Sequence, residues 1–150
     1  MKKNILAVIT FTFFISCNNS GEKANPLESK ADSLQKEVIK DHDIAMPKSM
    51  KISGVKKKIE ELIDSINSLP EKQFKASVPF KIELGNLRND LSGADSVMHK
   101  WMDEFNLDSF SNNAEQRIKY LAEEKIKIEN VKNAVLNSLQ KADSILKKKS

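Results

Sequence analysis

The fold of this chain is decided by residues 25–69, which read NPLESKADSLQKEVIKDHDIAMPKSMKISGVKKKIEELIDSINSL. Apolar residues recur there in alternating steps of four and three, and Asp41 and Lys48 are the only polar side chains on that row. This spacing predicts a long amphipathic helix with one buried face. The row consists of Leu27, Ala31, Leu34, Val38, Ala45, Ile52, Val55, Ile59, Leu62, Ile66 and Leu69.

The start and the middle of this helix carry their own signals. Asn25 can cap the helix, and Pro26 suits its first position, where a missing N–H costs nothing. Because the row stays in phase across Pro47, we expect one helix kinked at that proline. The alternative is a break near Ser53 and Gly54 that would divide it into two helices.

Two further helices are predicted after it. Pro70 and Pro79 are expected to bracket a ten-residue loop, and a second row of 4,3 steps follows from Phe80 to Phe105. Asn112 can cap a last helix. Its apolar row consists of Ala114, Ile118, Leu121, Ile128, Val135, Leu139, Ala142 and Leu146. The predicted fold class is therefore all-α: an antiparallel up-down-up bundle of three long helices, the first kinked at Pro47, or of four if the chain breaks there.

Composition excludes several classes of function. The 150 residues contain 4 Gly, 4 Pro, 1 Cys and 2 His, too few for a turn-rich β fold or a Cys-cluster metal site. No nucleophile–base pair is legible, so we expect no enzymatic activity. Lysines alternate with Glu and Asp, which is typical of solvated helix faces and not of a nucleic-acid-binding surface.

The N-terminus has the pattern of a lipoprotein signal peptide. Lys2 and Lys3 precede an apolar run over residues 5–15, which is too short to span a bilayer as a mature helix. The following Ser16-Cys17 resembles the bacterial lipobox, which implies that residues 1–16 are removed and that Cys17 carries acyl chains. Residues 17–24 would then be a lipidated Cys and flexible tether, and residues 25–150 a helical bundle domain. Asn18, which follows the Cys, resembles the signal that sorts such lipoproteins to the outer membrane. The protein would then face the periplasm.

The Met, His and Trp residues of the mature chain fall in two short windows. Residues 41–50 read DHDIAMPKSM, and residues 98–102 read MHKWM. If residue 69 pairs with residue 80 across the hairpin, Met98 should lie opposite residue 51 and Met102 opposite residue 47. The two windows are then expected to meet at the level of the kink.

This grouping suggests a soft-metal site. Thioethers select Cu(I) or Ag(I) over hard cations, and neutral imidazole suits copper. Trp101 could cover a bound cation with its ring, and His99, which lies off the apolar row, is a weaker candidate beside it. The set is similar in ligand chemistry to that of the small β-barrel periplasmic chaperones of copper–silver efflux systems. The candidate ligands are His42, Met46, Met50, Met98 and Met102.

The alternative is that the Met residues fill irregular packing beside a Pro kink, because Met adapts readily to such spaces. The protein would then be a structural or partner-binding lipoprotein of the cell envelope. In both interpretations it is non-enzymatic and attached to the membrane through its N-terminal lipid anchor. Its further partner would be an envelope protein, and Cu(I) or Ag(I) is the only candidate cofactor.

The two windows also resemble those of a known group of proteins. HDIAMPKSM at residues 42–50 and ADSVMHKWM at residues 94–102 are similar to a family of small, uncharacterised helical lipoproteins of Gram-negative bacteria. Some members carry the label "viral A-type inclusion protein". The resemblance covers residues 25–146 and implies a lipoprotein and a helical bundle, but no activity.

Overall fold

A computed structural model of the chain describes residues 25–147. Four helical segments follow one another: α1 (Pro26–Ser49), α2 (Ile52–Asn67), α3 (Glu71–Glu104) and α4 (Ala114–Lys147). No strand occurs in this part of the chain. α1 and α2 form one long helix bent by 30°, so the molecule is the predicted all-α bundle of three long helices.

The bend lies in the region of Pro47. Pro47 is inside α1, where it has no N–H to donate to the carbonyl of Asp43. Regular α-helix lapses three residues later, at Met50 and Lys51, where the Lys51 N–H donates to the Lys48 carbonyl at 3.0 Å in a tighter turn. The alternative break near Ser53 and Gly54 does not occur, since both residues belong to the first turn of α2.

The helices run up, down and up. Ion pairs join Glu37 to Lys125 and Asp41 to Lys132, so residue numbers rise together along α1 and α4 and these helices are parallel. α3 runs against both, since Asp90 pairs with Lys141 while Trp101, further along α3, contacts Glu124.

The core is built from the apolar rows that the sequence predicts, with the buried apolar residues seven apart in the first long helix and three or four apart in α3. In the first long helix the row is almost completely buried from end to end, and it passes the bend without losing phase. The row consists of Ala31, Val38, Ala45, Ile52, Ile59 and Ile66, which pack against Leu84, Leu87, Leu91, Ala94 and Met98 of α3 and Ile128, Val135 and Ala142 of α4.

Two details of the helix ends differ from the sequence prediction. The expected loop between Pro70 and Pro79 is wrong, because α3 begins at Glu71 and includes Pro79. Pro79 is exposed, and Phe74 and Phe80 pack against the core on either side of it, which offsets the lost backbone hydrogen bond. The cap of α4 is Asn113 and not Asn112, since the Asn113 Oδ1 accepts from the Gln116 N–H at 3.0 Å. Asn25 caps α1 as predicted, accepting from the Leu27 N–H at 3.1 Å.

Among the described residues, one end of the bundle consists of two helices. Leu146 and Lys147 at the end of α4 line a groove with Val55, and Ser144 and Ile145 border Glu83. Residues 60–82, which we call the hairpin tip, therefore extend past the last described residue of α4. There α2 and α3 pack on each other, joined at their ends by Lys81 donating to the Asn67 side chain at 2.6 Å.

Candidate functional site

The two Met- and His-containing windows do meet at the bend, but in a different register from the one expected. The Ser49 hydroxyl donates to Asp95 at 3.1 Å, and the ring centroids of His42 and Trp101 are 5.8 Å apart. Met46, between Ser49 and His42, therefore lies at the level of Met98. The pairing expected from the sequence placed residue 51 opposite Met98, about one helical turn from Met46. The two registers differ because that pairing assumed a straight helix, and a bent helix advances less along its neighbour.

The four Met side chains have different environments. Met98 is completely buried, and Met46 is half-buried and packs against the same core cluster. Met50 is 71% exposed and Met102 is 39% exposed. The structure thus brings Met46 and Met98 into one cluster, while Met50 and Met102 present thioethers to the surface.

The two His side chains also separate. His42 lies half-buried against Trp101, with its Nδ1 3.0 Å from the Asp43 carboxylate. His99 is exposed, and its Nδ1 lies 2.9 Å from the backbone carbonyl oxygen of Asp95, one turn earlier on its own helix. His42 therefore lies one helical turn from the half-buried Met46, and His99 faces outward.

Trp101 is engaged on its edge and on its faces. Its Nε1–H donates to Glu124 at 2.9 Å, its ring stacks on Phe105 at 4.7 Å between centroids, and His42 lies against it. The aromatic stack continues from Phe105 to Tyr120, whose hydroxyl accepts from the Asn106 N–H at 2.9 Å. These contacts occupy the positions that a cation over the indole ring would need.

Glu124 is a buried carboxylate that the sequence analysis missed. It accepts from both Trp101 and Lys127, the latter at 2.7 Å, so its charge is compensated. The hydrogen bond from Lys127 to Glu124 raises the pKa of Lys127, just as Glu37 raises the pKa of Lys125. The burial of Glu124 could have been predicted from its position in the sequence. It lies three residues after Leu121 and four before Ile128, on the buried face of α4.

The two polar interruptions of the first apolar row behave differently. Asp41 pairs with Lys132 at 2.8 Å across the α1–α4 interface, and both side chains are mostly buried. Lys48, one heptad further, has no ion-pair partner among residues 25–147. It lies at the edge of a groove between the bend and the end of α4.

Residues 25–147 contain no cluster of three or more His, Cys, Asp and Glu side chains that could hold a metal ion. Within the same range, no helix combines the length and the hydropathy that crossing a bilayer requires. Cys17, the predicted lipidation site, lies outside the described residues.

Comparison of this chain with protein-family models, with curated proteins and with solved structures found no match.

Proposed function

We propose that this protein is a lipid-anchored, non-enzymatic lipoprotein of the cell envelope, attached through Cys17 to the outer membrane on its periplasmic side, and that its helical bundle binds a protein partner. The support for the anchor is the sequence before and at Cys17. Several acyl chains on one residue provide enough buried CH₂ groups, at about 0.8 kcal/mol each, for stable attachment.

The observation that carries the partner-binding role is the hairpin tip at residues 60–82. It lies at the opposite end of the molecule from Asn25, where a tether from the membrane would join. The first long helix covers residues 26–67, so at about 1.5 Å per residue it separates the two ends by roughly 60 Å. A rod of this length would hold the tip well clear of the headgroups.

The tip also has apolar side chains that its two helices only half cover. Leu62, Leu69 and Phe74 are half-buried, and Ile82 is 59% exposed. Apolar side chains at an uncovered end of a bundle are typical of a surface that contacts another protein.

The anchor is tested by membrane fractionation of the Cys17→Ser variant. We expect the wild-type chain in the membrane fraction and Cys17→Ser in the soluble fraction. Ser16→Ala is the matched control, because it keeps a small residue before Cys17 and should remain membrane-bound. A Cys17→Ser chain that stays with the membrane would show that acylation is not what holds the protein there.

The partner-binding role is tested by photo-cross-linking in cells. A benzophenone amino acid replaces Ile82 in the tip, or, as a control, Ile126 on the exposed face of α4, which is 62% exposed. We expect a discrete protein adduct from position 82 and none from position 126. Absence of an adduct at both positions would overturn the role of the tip.

A second candidate function is binding of Cu(I) or Ag(I), and the placement of Met46 at the level of Met98, with His42 nearby, favours it. Two thioethers and one imidazole form a ligand set suited to a soft monovalent ion. Titration of the protein with Cu(I) against a chromogenic chelator tests this function. Met46→Leu plus Met98→Leu should abolish the binding, and Met50→Leu plus Met102→Leu should not. Equal affinities of the two double variants for Cu(I) would show that Met46 and Met98 only pack in the core.

A further inference from the structure

The bend in the first long helix opens a groove. α1 packs against α4, whereas α2 packs against α3, and within residues 25–147 no helix covers the last turns of α4 on that side. The floor of the groove is apolar and comes from both sides of the opening. Its apolar residues are Val55, Leu136, Leu139, Ala142 and Leu146.

The rim of this groove is basic. Lys48 and Lys51 border it from the bend, and neither has an ion-pair partner among the described residues. Lys147 borders it from α4, where Asp143, the only acidic residue lining the groove, already accepts from it at 2.5 Å. Two lysines at the interfaces of α4 are paired, Lys132 with Asp41 and Lys141 with Asp90.

We propose that this groove binds an amphipathic helix of the protein partner, with apolar side chains on the floor and carboxylates facing Lys48 and Lys51. This inference rests on the proposed partner-binding function. An open channel between two helices has the shape that a third helix fills. The unmatched lysines select acidic flanks on that helix, because opposite charges at the rim steer the partner and fix its orientation.

The bend itself supports this occupant. A straight first helix would have kept packing against α4, as α1 does, and would have left no groove. Lys48 occupies a position of the apolar row at which Asp41, one heptad earlier, has a partner lysine. An acidic residue on the incoming helix would supply for Lys48 the charge that Lys132 supplies for Asp41.

The test measures binding of a fluorescein-labelled synthetic helix to the purified full-length chain in mild detergent. The peptide has about three heptads, with Leu on one face and Glu beside it. A matched peptide carries Lys in place of Glu. We expect the Glu peptide to bind and the Lys peptide to bind at least about tenfold more weakly.

Charge reversal at the rim is the decisive variant. Lys48→Glu plus Lys51→Glu should weaken the Glu peptide at least about tenfold and strengthen the Lys peptide. The control, Lys30→Glu plus Lys119→Glu, makes the same change in net charge at exposed positions away from the groove and from the hairpin tip, and should leave both affinities unchanged. Equal effects of the two variants, or no binding of the Glu peptide, would overturn the assignment.

Anionic lipid is the competing ligand. It is tested with vesicles of phosphatidylcholine and phosphatidylglycerol. Vesicle binding that requires Lys48 and Lys51, together with no binding of the Glu peptide, would also overturn the proposal. Charge-dependent peptide binding without any cross-link at position 82 in cells would overturn the proposed function of the tip. Cross-linking at position 82 without charge-dependent peptide binding would overturn the groove assignment alone.

Discussion

Asp41 on α1 and Lys132 on α4 form an ion pair of 2.8 Å within the helix interface, and each side chain is less than one-fifth exposed. The pair occupies a position of the apolar row that should otherwise carry Leu or Val. A single polar contact of this kind can fix which residues of two helices face each other, since a shifted alignment would leave both charges unpaired.

Removing one partner of that pair should destabilise the fold. Asp41→Ala leaves the Lys132 ammonium largely buried without a counter-charge, and we expect a loss of about 1–3 kcal/mol in the free energy of unfolding. Urea denaturation followed by circular dichroism gives the value. Asp41→Leu combined with Lys132→Met should recover most of the loss, because apolar side chains of similar volume suit this interface. A double variant as unstable as Asp41→Ala would contradict this account.

The buried carboxylate of Glu124 should depend on the indole of Trp101. Trp101→Phe keeps an aromatic ring against Phe105 but removes the Nε1–H donor, and should cost about 1–3 kcal/mol. Glu124→Gln keeps an acceptor for the indole and should cost less. Since Trp101 is the only Trp of the chain, thermal or urea unfolding is followed by circular dichroism. Equal losses in the two variants would show that the hydrogen bond contributes little.

Stability should fall at high pH through Lys127. Its pKa is raised above the ordinary value of 10.5 by the hydrogen bond to Glu124, so the folded state favours the protonated ammonium. The contribution is therefore complete below pH 10.5 and is lost as the pH rises through the higher folded-state pKa. Urea midpoints measured from about pH 9 upward should decrease, and the decrease should be shallower in Glu124→Gln. An unchanged slope in Glu124→Gln would assign the effect to Lys125, whose pKa Glu37 raises.

The Met residues should divide by burial. Met98→Ala leaves a cavity in the core and should cost about 2–5 kcal/mol, whereas Met98→Leu should cost less than about 1.5 kcal/mol. Met50→Ala, at a position 71% exposed, should change stability by no more than about 0.5 kcal/mol. Urea midpoints of the three variants test this order. A large loss of stability in Met50→Ala would mean that the Met50 side chain packs against other residues.

The buried face of each helix was predictable because it is a local, periodic signal. Ile52 and Ile59 are buried as their spacing predicts, because both fall on the same side of a helix of about 3.6 residues per turn. The completely buried Met98 belongs to such a row as well, whereas Met50, a candidate ligand in the sequence analysis, lies off the row and is 71% exposed.

Features that depend on contacts between helices were harder to predict from the sequence. Pro79 is compatible with a helix because Phe74 and Phe80 pack around it, and proline alone gives no sign of that support. Asn112 and Asn113 are equally able to cap, and the loop before them decides which one does. The pairing of Met46 with Met98 depends on the size of the bend, and an apolar pattern contains no measure of an angle.

The extension of the hairpin tip past the last described residue of α4 has a consequence for local unfolding. Amide groups in residues 60–82 belong to helices that are shielded by one companion instead of two, so they should open to solvent and exchange hydrogen sooner than amides near Leu91 or Val135. The hairpin tip would then be the most deformable part of the described chain, while the remainder keeps its shape.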